Sequence, residues 1–246
     1  MWKNVMMKQI LLITDGCSNR GSNPIEAAKF ARRLGITVNV VGILDGGDLN
    51  SAGRQEVQAI AEAGGGISRI VQAKQLAMTM QMVTKHTVQM TIQQVVNKEL
   101  RQLMGTDADG LPPEKRSDVA EMVERLGDEA QLQLVLVIDT SASMHDKLPT
   151  VREAIRDLKI GLDVRHGQHQ VAILTFPGQS GEEVSVITDF THNANLIDLM
   201  NGLRANGGTP TGPAIEKATR MLSQELIERP AKRKDDGDGD MAAYVV

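Results

Sequence analysis

A single cysteine, Cys17, occurs in the 246 residues. No internal disulfide framework and no cysteine-based zinc cluster can form, and this usage fits a reducing cytoplasm. Aromatic residues make up 2% of the chain, which argues against base-stacking platforms and aromatic ligand cages. Neither sign of charge dominates: 27 Lys and Arg face 31 Asp and Glu, giving no support to nucleic-acid binding. Long apolar runs are missing too. The first, Ile10 to Ile13, stops at Thr14 and Asp15, far short of a secretory core or a membrane span. These absences predict a soluble cytoplasmic protein that engages neither nucleic acid nor membrane, with length enough for one large domain or two small ones.

What is present alternates between strand and helix patterns. Residues 1–75 carry "QILLI", then "NPIEAAKFARRLG" with Asn23 as N-cap, Pro24 at the first helical position and Gly35 as stop. The β-branched "ITVNVVGIL", the helical "RQEVQAIAEAGGG" with a triple-glycine ending, and "ISRIVQA" follow. Strands separated by single helices imply right-handed crossovers and a parallel sheet. Residues 76–130 change character, with one long helical pattern ending near Gly105 and a second opened by Pro113.

From residue 131 to 230 the α/β alternation returns. "LQLVLVID" is an apolar strand and "KLPTVREAIRDLKIGLDV" a helix; "HQVAILTF" and "EEVSVITDF" are joined by "PGQSGE". That short turn predicts an antiparallel hairpin at the sheet edge. Helices are expected over "NANLIDLMNGLRANGG" and "PTGPAIEKATRMLSQELIE". Residues 231–246 form a charged, glycine-spaced tail whose composition predicts disorder. The fold class is α/β: a doubly wound, mostly parallel sheet with a helical insertion.

Chemistry concentrates where apolar strands end on carboxylates. Asp139, Ser141 and Ser143 follow "LVLVI" in an Asp-x-Ser-x-Ser arrangement. Small oxygen-bearing side chains alternating on a loop can turn several oxygens towards one point, as a hard cation such as Mg²⁺ requires; the plainer reading is a strand cap followed by serines in a turn. Thr209, on the glycine loop "NGGTPTG", could add a hydroxyl or simply cap a helix. Asp15 closes the first apolar strand in "LLITDG".

Together these residues resemble the von Willebrand factor A (VWA) domain and its metal-ion-dependent adhesion site. That family's motif is Asp-x-Ser-x-Ser after the first strand, a Thr on a glycine loop, and an Asp ending the fourth strand. Asp139, Ser141, Ser143 and Thr209 match the first two parts. The third stands near the N-terminus, as Asp15, so the likeness implies a circularly permuted order: residues 1–75 as the second half of the domain, 76–130 as a helical bridge, and 131–230 as the first half. It covers about 170 of the 246 residues. The two halves would pair either within a monomer or across a domain-swapped homodimer.

By that resemblance Ser141, Ser143 and Thr209 would hold Mg²⁺ (or Mn²⁺ or Ca²⁺), while Asp139 and Asp15 would act mainly through bound water. A site poor in direct carboxylate ligands keeps the cation hungry for an anion, so a protein partner's Asp or Glu would complete the shell. The implied function is Mg²⁺-dependent protein binding without catalysis, and a likeness to VWA proteins of spore-forming Bacilli implies a sporulation-linked role. A scaffold working through its central helices, or an accessory subunit of an ATPase or kinase, are the other readings. A phosphatase of the haloacid dehalogenase type would need a second carboxylate where Ser141 stands. Cys17 and His145 read as ordinary loop residues, and His166 and His169 lack a third ligand for zinc. "DDGDGD" has Met241 where a calcium loop needs glycine. The methionines 78, 80, 82 and 90 serve either core packing or an adaptable partner surface.

Overall fold

Nine residues, MMKQILLIT, form strand β1 (Met6–Thr14), and both of its faces are apolar because both are covered. In the computed structural model, which describes residues 6–44, 51–191 and 202–228, the chain continues through α1 (Pro24–Arg33), β2 (Thr37–Leu44), α2 (Ser51–Ala63) and β3 (Gly65–Gln72). Two helices follow, α3 (Leu76–Met104) and α4 (Pro113–Glu129). Then come β4 (Gln131–Asp139), α5 (Leu148–Asp163), β5 (His169–Phe176), β6 (Ser185–Thr191) and α6 (Thr211–Glu228). The six strands make one sheet in the order β3-β2-β1-β4-β5-β6. All neighbours are parallel except β5 and β6, the expected antiparallel edge hairpin.

The sheet has helices on both faces, which is the doubly wound α/β architecture predicted from the alternation. Ile10, Leu12, Val135 and Val137 turn towards the residues of α1, α2 and α6. Their strand neighbours Leu11, Ile13, Leu134 and Leu136 turn towards α3, α4 and α5. Asn23 caps α1 as expected, its Oδ1 accepting from the Ile25 and Glu26 amides at 2.8 and 3.4 Å. α3 buries a stripe through Leu76, Met80, Val83, Val88, Ile92 and Val96, a helical spacing that lays one face on the sheet. The methionines divide accordingly. Met80 is buried in the core, whereas Met78 and Met82 face solvent at 77% and 47% exposure.

Two features depart from the sequence reading. Only the first of three glycines ends α2; Gly65 and Gly66 belong to β3. The reason is a bulge opposite Asn39: a Cβ at Gly66 would lie 2.2 Å from the Val38 carbonyl oxygen. The second departure concerns the helix expected over "NANLIDLMNGLRANGG". Residues 193–201 lie outside the described residues, and 202–208 are irregular rather than helical. Their backbone is committed elsewhere, with the Asn206 amide donating to Thr140 O (2.8 Å) and Gly207 O accepting from the Ala142 amide (3.3 Å). The tail at 231–246 also lies outside the described residues.

Asn39, fully buried on β2, repairs the bulge. Its Oδ1 accepts both the Ile67 amide and the Thr87 hydroxyl at 2.9 Å, linking β2, β3 and α3. Replacing Asn39 with Leu would strand those two donors. Each buried unmade bond costs about 1–3 kcal/mol, so Asn39→Leu is expected to lower unfolding free energy by about 2–4 kcal/mol in urea titration.

Candidate metal centre

Register decides which side chains meet. β1 and β4 run parallel with Ile13 beside Ile138, so one residue further on Thr14 faces Asp139, 125 positions away in sequence. The Thr14 hydroxyl donates to Asp139 Oδ2 at 2.6 Å. The other carboxylate oxygen, Oδ1, accepts the Ser141 amide at 2.8 Å, the local turn that Asp makes two residues ahead of its own backbone. Asp139 is completely buried, and burial pushes its carboxyl up to about 6, with the nearby Asp15 charge adding to the rise and the bonds from Thr14 and Ser141 opposing it.

The motif residues then close a chain of contacts. Ser141 Oγ and Ser143 Oγ are 3.2 Å apart. The Ser143 hydroxyl donates to Asp15 Oδ1 at 2.8 Å, bringing together residues 128 positions apart. Asp15 is thus joined to the serine loop by a direct side-chain bond. Thr209 arrives by another route. Its amide donates to Asn19 Oδ1 (2.8 Å), its carbonyl accepts from the Asn19 amide (3.2 Å), and its loop is tied to residues 140 and 142 by the bonds of Asn206 and Gly207. Thr209 itself is buried. The structure therefore gathers Asp15, Asp139, Ser141 and Ser143 through side chains and sets Thr209 beside them through its backbone.

Three contributors escaped the sequence reading. Thr14 looked like the end of an apolar run, yet its position before Asp15 puts its hydroxyl on Asp139. Asn19 clamps the Thr209 loop, and its neighbour Ser18 is held by Glu56 Oε1 of α2 at 2.8 Å. Lys147, just before α5, is buried at 4% exposure. Its ammonium pairs with Asp15 Oδ2 and also donates to Ser143 O at 3.0 Å. Nothing short of the tertiary fold joins Lys147 to Asp15. Its place four residues beyond Ser143, inside the motif's own loop, was the one available signal.

The donor set is all oxygen, from two carboxylates and three hydroxyl side chains, the chemistry of a hard cation. Among the described residues there is no group of three or more His, Cys, Asp and Glu that could hold a metal. Cys17 is half-buried, and burial and Glu56 both push its thiol up, away from thiolate reactivity. His145 stands in solvent beside Asp146. No described helix is long and apolar enough to cross a membrane.

Comparison with known proteins agrees with this architecture. The profile of the von Willebrand factor type A domain matches residues 133–235. The uncharacterized protein YabS of Bacillus subtilis is 46% identical over 224 residues, covering 90% of this chain and 91% of that protein. YwmC, also uncharacterized and from B. subtilis, is 41% identical over 59 residues, 24% of each chain. The crystal structure of an uncharacterized protein from Alicyclobacillus acidocaldarius superimposes with a TM-score of 0.87 at 49% identity, covering 92% of this chain and 98% of that one.

A raised carboxyl has a definite consequence for the metal-free protein. The folded state holds the Asp139 proton more tightly than the unfolded chain, so its contribution to stability is greatest below pH 4 and is lost as pH rises through about 6. In EDTA at pH 7.5, Asp139→Asn is therefore expected to be more stable than wild type, by ~1–3 kcal/mol. The gap should shrink towards pH 4, as read by urea midpoints at both pH values.

Proposed function

Since this chain belongs to the same family as YabS and carries a von Willebrand factor type A domain, we propose that the cluster is a metal-ion-dependent adhesion site binding a protein partner. The observation that carries the reading is the bond from Ser143 to Asp15, which draws the last motif carboxylate onto the serine loop. Ser141, Ser143 and Thr209 would hold Mg²⁺, with Mn²⁺ or Ca²⁺ as substitutes, and Asp139 and Asp15 would orient its water. When bound, the cation supplies an electropositive position for a partner's Asp or Glu. Both oxygens of Asp139 already accept bonds, as do both of Asp15.

The reading extends to the order of the chain. The family profile begins at residue 133, and β1 to β3 precede it in sequence while lying beside β4 in the sheet. We read this as circular permutation, with the cut before β1, the kind of connection where such rearrangement is tolerated, and with α3 and α4 bridging the former termini. We read β1 and β4 as pairing inside one chain, which makes a closed monomer. Sedimentation should then give a mass near 26.7 kDa; a doubled mass would assign the same contacts to a domain-swapped homodimer. A cytoplasmic, sporulation-linked setting rests on the single cysteine and the likeness to spore-former proteins. Fractionation and expression through sporulation test it.

Exposure of Met78 and Met82 on α3 favours one second reading, a scaffold acting through that helix. The two separate cleanly. For the adhesion site, Mn²⁺ binding followed by electron paramagnetic resonance should show one site, weakened at least ~10-fold in Ser141→Ala and Asp139→Ala. Partner capture should require Mg²⁺ and fail in EDTA. A wild-type chain that takes up no divalent cation would overturn the reading, and capture indifferent to EDTA but lost in Met78→Glu would assign binding to α3.

A further inference from the structure

A cation-binding loop that buries a cation of its own calls for a physical reason. Lys147 sits at 4% exposure, and the side chain of its partner Asp15 at 2%. Removing two charges from water costs several kcal/mol per ion before their attraction repays it. An apolar residue filling the same space would carry no such cost, so packing alone does not account for the pair. The ammonium lies against Asp15 and the Ser143 carbonyl, within the loop that carries the serines. From there it acts on whatever charge the loop holds.

We propose that Lys147 is the built-in counter-charge of this site, offsetting Asp15 so that a bound divalent cation meets less negative charge in the loop. The proposal rests on the adhesion-site reading and deepens it. The ammonium makes the loop one unit more positive than the same loop without it, so a loaded site attracts an acidic partner more strongly. Without the ammonium, an incoming carboxylate gains less. Lys147 thus lowers affinity for the metal and raises the loaded site's affinity for an anion. It is a specificity-determining residue that exchanges tight ion holding for recognition of acidic partners.

The test uses the full chain, stripped with EDTA and dialysed, with Mn²⁺ and acetate as probes. Lys147→Met keeps the length of the side chain and removes its charge. Mn²⁺ should bind it ~10-fold or more tighter than wild type, since a unit charge within several ångströms is worth kilocalories at an effective dielectric of about 20. Acetate should displace Mn²⁺-bound water, read by water-proton relaxation, only at several-fold higher concentration than in wild type. Equal or weaker Mn²⁺ binding by the folded variant would overturn the assignment while leaving the metal site standing. If neither chain takes up Mn²⁺, the adhesion-site reading falls and this assignment with it. Should Lys147→Met not fold, Asp15→Asn and Asp15→Asn/Lys147→Met read the same charge. The double variant is expected to bind Mn²⁺ ~10-fold tighter than the single, and equality would overturn the proposal.

Discussion

The parallel pairing of β1 with β4 is the constraint on which the rest depends. Eight consecutive register pairs, from Met6 beside Gln131 to Ile13 beside Ile138, bind the N-terminal segment to a strand that follows α4. Every one of these residues from Ile10 to Ile13 and from Leu134 to Ile138 is fully buried. The register is enforced because a slip by one residue would turn each strand's core face over. Once it is set, two strand ends lie side by side, and the polar residues that stop the apolar runs have nowhere to go but towards each other. The site is a by-product of how the sheet closes.

Buried polar groups in this protein are placed where the backbone alone leaves something undone. Asn39 supplies the acceptor that a bulge in β3 would otherwise lack. Asn19 gives both an acceptor and a donor to the Thr209 loop. Thr14 and the Ser141 amide do the same for Asp139, yet they only partly offset burial, which still leaves that carboxyl at about 6. An anionic group held at an energetic disadvantage is one that gains from a cation. The contrast with Asp15 is instructive, because there the fold provides the cation itself, in Lys147.

Legibility in the sequence followed the range of the interaction. α1 was readable because Asn23, Pro24 and Gly35 act on their own neighbours, and the edge hairpin because its turn is short. The doubly wound class followed from alternation of apolar strands with helices. Among the site residues, the Asp-x-Ser-x-Ser run was visible because its members share one loop. Thr14 and Asn19 were not, since their partners stand 125 and 190 positions away. The stretch at 202–208 misled because the apolar pattern upstream was carried through it despite its three glycines, while its backbone bonds are spent on residues 140 and 142. The glycines after α2 were assigned to the helix end because the clash that demands them comes from Val38 on another strand.

By itself the sequence determined the elements and the chemistry on offer: buried strands that stop at carboxylates, small hydroxyl residues in a loop, and a long helix with one apolar stripe. These are local consequences of periodicity, capping and side-chain type, and they hold wherever the segments end up. Only the tertiary structure decided which of those groups share a space. It brought Asp15 onto Ser143, laid the Thr209 loop beside Ala142, and buried Lys147 against Asp15. Sheet order and register are set by packing over the whole core, which no local stretch encodes.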